Sequence, residues 1–94
     1  MATQSPLNVK LVAVESPVWE GEAKSVYART TEGELGVLPG HIPMLGEIAV
    51  DSHVHLFTSE DERLDFDVEG GFLSVTSDGI TILAETAKQV ETAA

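Results

Sequence analysis

The sequence predicts an all-β fold, an antiparallel β-sandwich of about ten short strands. Two observations carry this reading. Apolar residues recur with a period of two along most of the chain, the signature of strands with one buried face. Turn-forming residues interrupt those runs at short intervals, which favours a sandwich or barrel over a sheet with long connections.

The first predicted strand alternates Leu7, Val9 and Leu11 with Asn8 and Lys10. Ser16-Pro17 and Glu20-Gly21 then read as turns. Val26 and Ala28 alternate with Ser25, Tyr27 and Arg29, and Thr31-Glu32-Gly33 closes that run. Pro39-Gly40 marks another turn, and Ile48 and Val50 alternate with Glu47, Ala49 and Asp51. Strands over 53–58 and 64–69 form a hairpin around the acidic tip Ser59-Glu60-Asp61-Glu62-Arg63. Gly70-Gly71 reads as a turn, and Ser77-Asp78-Gly79 as a hairpin turn in which Gly supplies positive φ. Ile80, Thr81, Ile82 and Leu83 form a strand apolar on both faces. Only the end reads as helical. Ala84 to Glu91 holds helix formers and no breaker, but is short enough to fray as a helical turn. The chain divides into an extended or disordered start over 1–6, a sandwich domain over 7–85 and a short tail over 86–94.

Composition excludes several function classes. Five Lys and Arg against sixteen Asp and Glu leave a net charge of −11 on 94 residues. That excess argues against binding nucleic-acid phosphates or an anionic membrane surface. Cysteine is absent, so disulfides, thiol nucleophiles and thiolate metal sites are excluded. At 43% apolar residues the chain can bury a core, about 64% of its unfolded surface by size scaling. Its apolar runs are too short for a membrane-spanning helix, and its first residues lack the features of a signal peptide. The expected setting is cytoplasmic.

Chemical motifs are sparse. No Gly-x-Gly-x-x-Gly opens a helix, and the Gly40 to Gly46 spacing is wrong for a phosphate loop and followed by Glu47. Asp65-Phe66-Asp67-Val68-Glu69-Gly70 imitates the start of a calcium loop, but position twelve is Thr76. His53 and His55 share one strand face, two residues apart, without a clear third ligand, so no metal site is assigned. Their expected role is charge pairing with Asp65, Asp67 or Glu69 across the hairpin, which would raise their pKa values. No serine sits in a nucleophile elbow, and His41 lacks partners for a triad. No catalytic residue and no cofactor are predicted. The stretch from Glu32 to Gly46 holds four glycines and two prolines among leucines and a Met. It reads either as a core crossover between sheets or as a docking loop.

At this stretch the chain resembles the epsilon subunit of bacterial F-type ATP synthase. The resemblance runs from Leu7-Asn8-Val9 through Val18-Trp19-Glu20-Gly21-Glu22-Ala23. It is densest over 31–45, returns at Glu69-Gly70-Gly71-Phe72-Leu73-Ser74-Val75 and closes over 80–87. It implies a ten-stranded β-sandwich in the central rotor, clamping the gamma shaft to the c-ring and coupling ion flow to ATP synthesis. It implies no active site and a peripheral place on the cytoplasmic face of the bacterial plasma membrane, without insertion. The implied partner interface with gamma and the c-ring is Glu32, Glu34, Leu38, Pro39, Gly40, His41, Ile42 and Met44. Leu38, Pro39 and Ile42 are equally open to a core role, while Gly33, Gly36 and Gly40 are expected to shape the loop. Relatives usually continue into a C-terminal helical hairpin that inhibits hydrolysis or binds ATP. The sequence stops at Ala94, so neither property is expected of it. Two other readings compete: a carbohydrate-binding sandwich, disfavoured by having five aromatics in all, and a hydrolase built on His41.

Overall fold

The computed structural model describes residues 6–40 and 43–90. Its described residues form seven strands and no helix: β1 (Leu7–Ala13), β2 (Pro17–Thr30), β3 (Gly33–Val37), β4 (Met44–Glu47), β5 (Ser52–Thr58), β6 (Arg63–Thr76) and β7 (Gly79–Val90). Pairing arranges them in two facing layers. The first runs β4, the second half of β6, the first half of β7, β1, and the start of β2. The second runs β3, the rest of β2, β5, the first half of β6, and the end of β7. Neighbours are antiparallel except β1 and β7, which run parallel.

Seven strands replace the ten expected because β2, β6 and β7 each serve both layers. β2 and β6 reverse the parity of their buried positions on the way, and β7 passes from buried Ile80, Ile82 and Ala84 to partly buried Ala87. In β6 the core takes Phe66 and Val68, then Leu73 and Val75. In β2, Ala23 gives way to Val26 and Ala28 across a register shift between Ala23 and Ser25. A period-two reading sees such a reversal as the end of one strand and the start of another. Glu20-Gly21 and Gly70-Gly71, expected as turns, therefore lie inside β2 and β6. The predicted strand around Ile48 and Val50 is instead the link from β4 to β5. Ile48 makes one bridge to Thr30 and is buried, whereas Val50 is exposed.

The tail is a second correction. Residues 84–90 continue β7 instead of turning helical. A short isolated helix is marginal in water, and Ala84, Ala87 and Val90 offer it little apolar area. The strand gains a ladder from Thr86 opposite Glu69 to Val90 opposite Asp65, with Lys88 facing Asp67. The Thr86 hydroxyl donates to a Glu69 carboxylate oxygen at 3.0 Å. Residues 1–5 of the start predicted over 1–6, and the last four residues of the tail predicted over 86–94, lie outside the described residues.

One core fills the space between the layers. Val9, Leu11, Leu73, Ile80 and Ile82 meet Val26, Val54, Leu56, Phe66 and Val68, each buried. Both predicted hairpin turns form. Thr58 Oγ1 accepts from the Glu60 and Glu62 amides in the acidic tip, at 3.3 and 3.1 Å. Asp78 N donates to Thr76 Oγ1 at 3.3 Å in the β6–β7 turn. Among the described residues, no buried side-chain nitrogen or oxygen lacks a partner.

At Gly71 the paired strand β7 presses directly on the β6 backbone. The φ of Gly71 is +116°, and a Cβ there would lie 1.9 Å from the Leu83 carbonyl oxygen. Gly33 has a similar φ of +124° with nothing within 4 Å of a Cβ. Gly33→Ala should therefore cost strain alone, about 1–3 kcal/mol. Gly71→Ala adds a backbone collision and should cost at least about 2 kcal/mol more. Urea unfolding of the two variants checks this, and equal losses would show that β6 does not depend on that contact.

Candidate functional site

Two surface features follow from this architecture. The first lies where the layers open at one edge, between β3 and β4. These two strands sit at the ends of opposite layers and do not pair with each other. The β2–β3 turn is fixed by Thr30, whose hydroxyl donates to the Gly33 carbonyl at 2.9 Å and accepts from the Glu32 amide at 3.2 Å. The turn is tied to β4 by the Thr31 amide, which donates to the Glu47 carbonyl at 3.0 Å. The result is a groove of about 470 Å³ with Leu35, Met44 and Leu45 along it and Glu32, Glu34 and Glu47 on its rim.

The groove gathers three predicted interface residues, Glu32, Glu34 and Met44. Both glutamates are exposed, and Met44 is half-buried against the core. Leu38, Pro39 and Gly40 lie beyond the end of β3, where the chain crosses between layers. Leu38 is 56% exposed, so it is not core, while Pro39 is half-buried. Gly33 and Gly40 take positive φ, as loop-shaping glycines would. Gly36 lies in β3 beside Tyr27, whose ring would be 2.9 Å from a Cβ there. His41 and Ile42 lie outside the described residues.

The sequence reading missed an apolar patch that continues from this groove over the outer face of the first layer. Leu45, Phe72 and Leu83 are all exposed, Leu45 at 71%. Phe72 is paired with Leu83, Leu83 with Val12, and Glu47 with Phe72, so the patch crosses four strands. The signal was present: Phe72 and Leu83 occupy positions that alternation reserves for polar residues.

The second feature is on the outer face of the second layer. One row crosses five strands as Gly36, Tyr27, His55, Asp65 and Val90. Beside it His53 pairs with Asp67. The Tyr27 and His55 rings stack with centroids 4.8 Å apart. Arg63 grips the buried Asp65 carboxylate, with Nη2 donating to Oδ1 at 3.0 Å and Nε to Oδ2 at 3.1 Å. The histidines thus face the predicted carboxylates across the hairpin.

The expected rise in histidine pKa is not found at His55. Its pKa is lowered from 6.5, first by burial and then by the Arg63 charge, against the opposing pull of Asp65. His53 lowers it further and Glu34 counters. Arg63 largely neutralises Asp65, so His55 sees an ion pair rather than a bare carboxylate. As pH falls below 6.5, the unfolded chain takes up this proton first. The stability that neutral His55 supplies is complete above that pH and is lost as pH drops toward the folded pKa. In chelator-treated buffer, wild type should lose more stability than His55→Gln between about pH 7 and 5. Parallel pH profiles, or an NMR titration midpoint above 6.5, would refute this.

The profile of a family described as "ATP synthase, Delta/Epsilon chain, beta-sandwich domain" matches residues 6–90. The chain is 52% identical over 83 residues to an ATP synthase epsilon chain of Frankia casuarinae, covering 88% of this chain and 96% of the relative. It is 55% identical over 78 residues to the ATP synthase epsilon chain of Corynebacterium jeikeium, covering 83% of this chain and 63% of that protein. Among solved structures, a chain of the Euglena gracilis mitochondrial ATP synthase superposes with a TM-score of 0.85 at 20% identity, over 95% of this chain and 56% of that one. A chain of the Tetrahymena thermophila mitochondrial ATP synthase central stalk and c-ring gives 0.71 at 19% identity, over 93% and 69%. At these identities the structural likeness shows the shared fold.

Proposed function

Because the chain belongs to the ATP synthase delta/epsilon β-sandwich family, we propose that it is a non-catalytic rotor subunit. In this reading it joins a gamma shaft to a c-ring and couples ion flow to ATP synthesis. The observation that carries the reading is the edge groove, where an acidic rim adjoins an exposed apolar patch. Glu32, Glu34 and Glu47 meet cationic groups of the partners and set register, while Met44, Leu45, Phe72 and Leu83 supply contact area. Leu38, Pro39, Gly40, His41 and Ile42 pack near the junction of ring and shaft.

The solved relatives are chains of an F1/c-ring assembly and of a central stalk with its c-ring. Those surroundings suit a sandwich with partner-facing edges. Membrane association in this proposal is peripheral, through the ring. Among the described residues no helix is long and apolar enough to cross a membrane. ATP binding and inhibition by helices play no part in the role proposed for the sandwich.

The proposal is tested by binding of the purified chain to purified gamma subunit and to isolated c-ring. Leu45→Asp places a charge in the apolar patch and should weaken partner binding at least about tenfold. Glu34→Lys reverses a rim charge and should slow association and reduce its salt dependence. Reconstituted turnover should lose coupling in both variants. Failure of folded wild-type chain to bind either partner would sink the rotor role. Unchanged binding by both variants would sink the groove as the interface.

A further inference from the structure

Three ligating side chains converge on the outer face of the second layer, apart from the groove and its patch. His53 and His55 are two residues apart on β5 and so point to the same side. Asp65 is the register partner of His55 on β6. The ligand atoms of all three lie within 4.8 Å of one another. Two donors sharing a tetrahedral ion at about 2.1 Å are about 3.4 Å apart. A pair at the full 4.8 Å must close by about 1.4 Å for all three to share one ion, and the exposed His53 side chain is the one of the three with most room to turn. The other two ligands are already held. The His55 ring stacks on Tyr27, and the Asp65 carboxylate is gripped by Arg63.

We propose that His53, His55 and Asp65 form a binding site for a divalent transition ion of the zinc class, with water completing a four-coordinate sphere. The donor set decides the class. Two imidazoles and one carboxylate suit zinc, nickel or copper, whereas magnesium and calcium need oxygen-rich shells. Arg63 already contacts both Asp65 oxygens, Nε donating to Oδ1 and Oδ2 and Nη2 to Oδ1, so the ion has to share a carboxylate oxygen with Arg63. Arg63 then orients the ligand as an outer partner, while its charge opposes the ion and keeps the site weaker than an uncontested one. The chain's net charge of −11 acts in the other direction and raises the local cation concentration. A bound ion would pin β5 to β6 across the middle of the layer. Because only the folded chain assembles the three ligands, binding should also raise the melting temperature.

The test uses the full chain, freed of metal by chelator. Zinc is titrated calorimetrically, and cobalt(II) by its visible absorption, both in excess magnesium. One zinc per chain is expected, with the intense visible bands of four-coordinate cobalt and a thermal midpoint that rises with zinc. His53→Gln, at an exposed position that keeps the fold, should weaken binding at least about tenfold. His55→Gln should do the same, with its fold checked by far-ultraviolet circular dichroism. Glu22→Gln, at an exposed position of β2 in the first layer, should bind as wild type. Loss of the signal to magnesium, six-coordinate cobalt, or wild-type affinity in His53→Gln would each overturn the site.

Discussion

Three strands must serve two layers at once, and the rest of the molecule is arranged around that demand. A strand that leaves one sheet for the facing one has to change its pairing partners and re-aim its apolar side chains. In β6 the change falls at Gly70-Gly71, both at positive φ. In β2 it falls at the register shift beside Lys24, which is itself anchored to Asp61 in the acidic tip. In β7 it comes after Ala84, where pairing with β1 ends and pairing with β6 alone continues. These bends let seven strands enclose one core, and they leave neither layer able to stand by itself.

The same arrangement explains where the surface is open. β1 pairs with both β2 and β7, closing one side of the sandwich. On the other side β3 and β4 end their layers without pairing to each other, and the chain crosses between them. An unpaired edge invites unwanted strand addition, and exposed acidic side chains are one way of discouraging it. Glu32, Glu34 and Glu47 are placed to do so on this edge, and in the proposed rotor role they leave Met44 and Leu45 to the partner. Charge on the rim and apolar area behind it is an arrangement that separates specificity from contact area.

The sequence made some of this legible and concealed the rest for physical reasons. Alternation in Leu7, Val9 and Leu11, or in Phe66 and Val68, identifies strands because one face of each is buried throughout. It fails where a strand switches parity, so Glu20-Gly21 and Gly70-Gly71 read as turns. The end of β7 was hidden differently. Ala84, Ala87 and Lys88 are good helix formers, and only the waiting edge of β6 makes them a strand. Glu32 and Glu34 were singled out through resemblance, not through any chemistry visible in their spacing, and Glu47 was not singled out at all. Leu45, Phe72 and Leu83 were overlooked because single apolar residues on a polar face carry no meaning until pairing sets them side by side. His55 shows the limit of charge arithmetic. The facing carboxylate was anticipated, but Arg63 taking hold of it was not.

The parallel pairing of β1 with β7 has a consequence for synthesis. Val9 pairs with Ile80, and Leu11 with Ile82, so the first strand finds one neighbour only after five intervening strands. During translation that side of β1 waits with no partner while the intervening strands emerge. Closing such a long loop is an entropic cost met late, and topologies rich in distant pairings fold slowly, on the order of milliseconds to seconds. The nascent chain can form the β2–β3 and β5–β6 hairpins early. It cannot complete the first layer until β7 has cleared the ribosome.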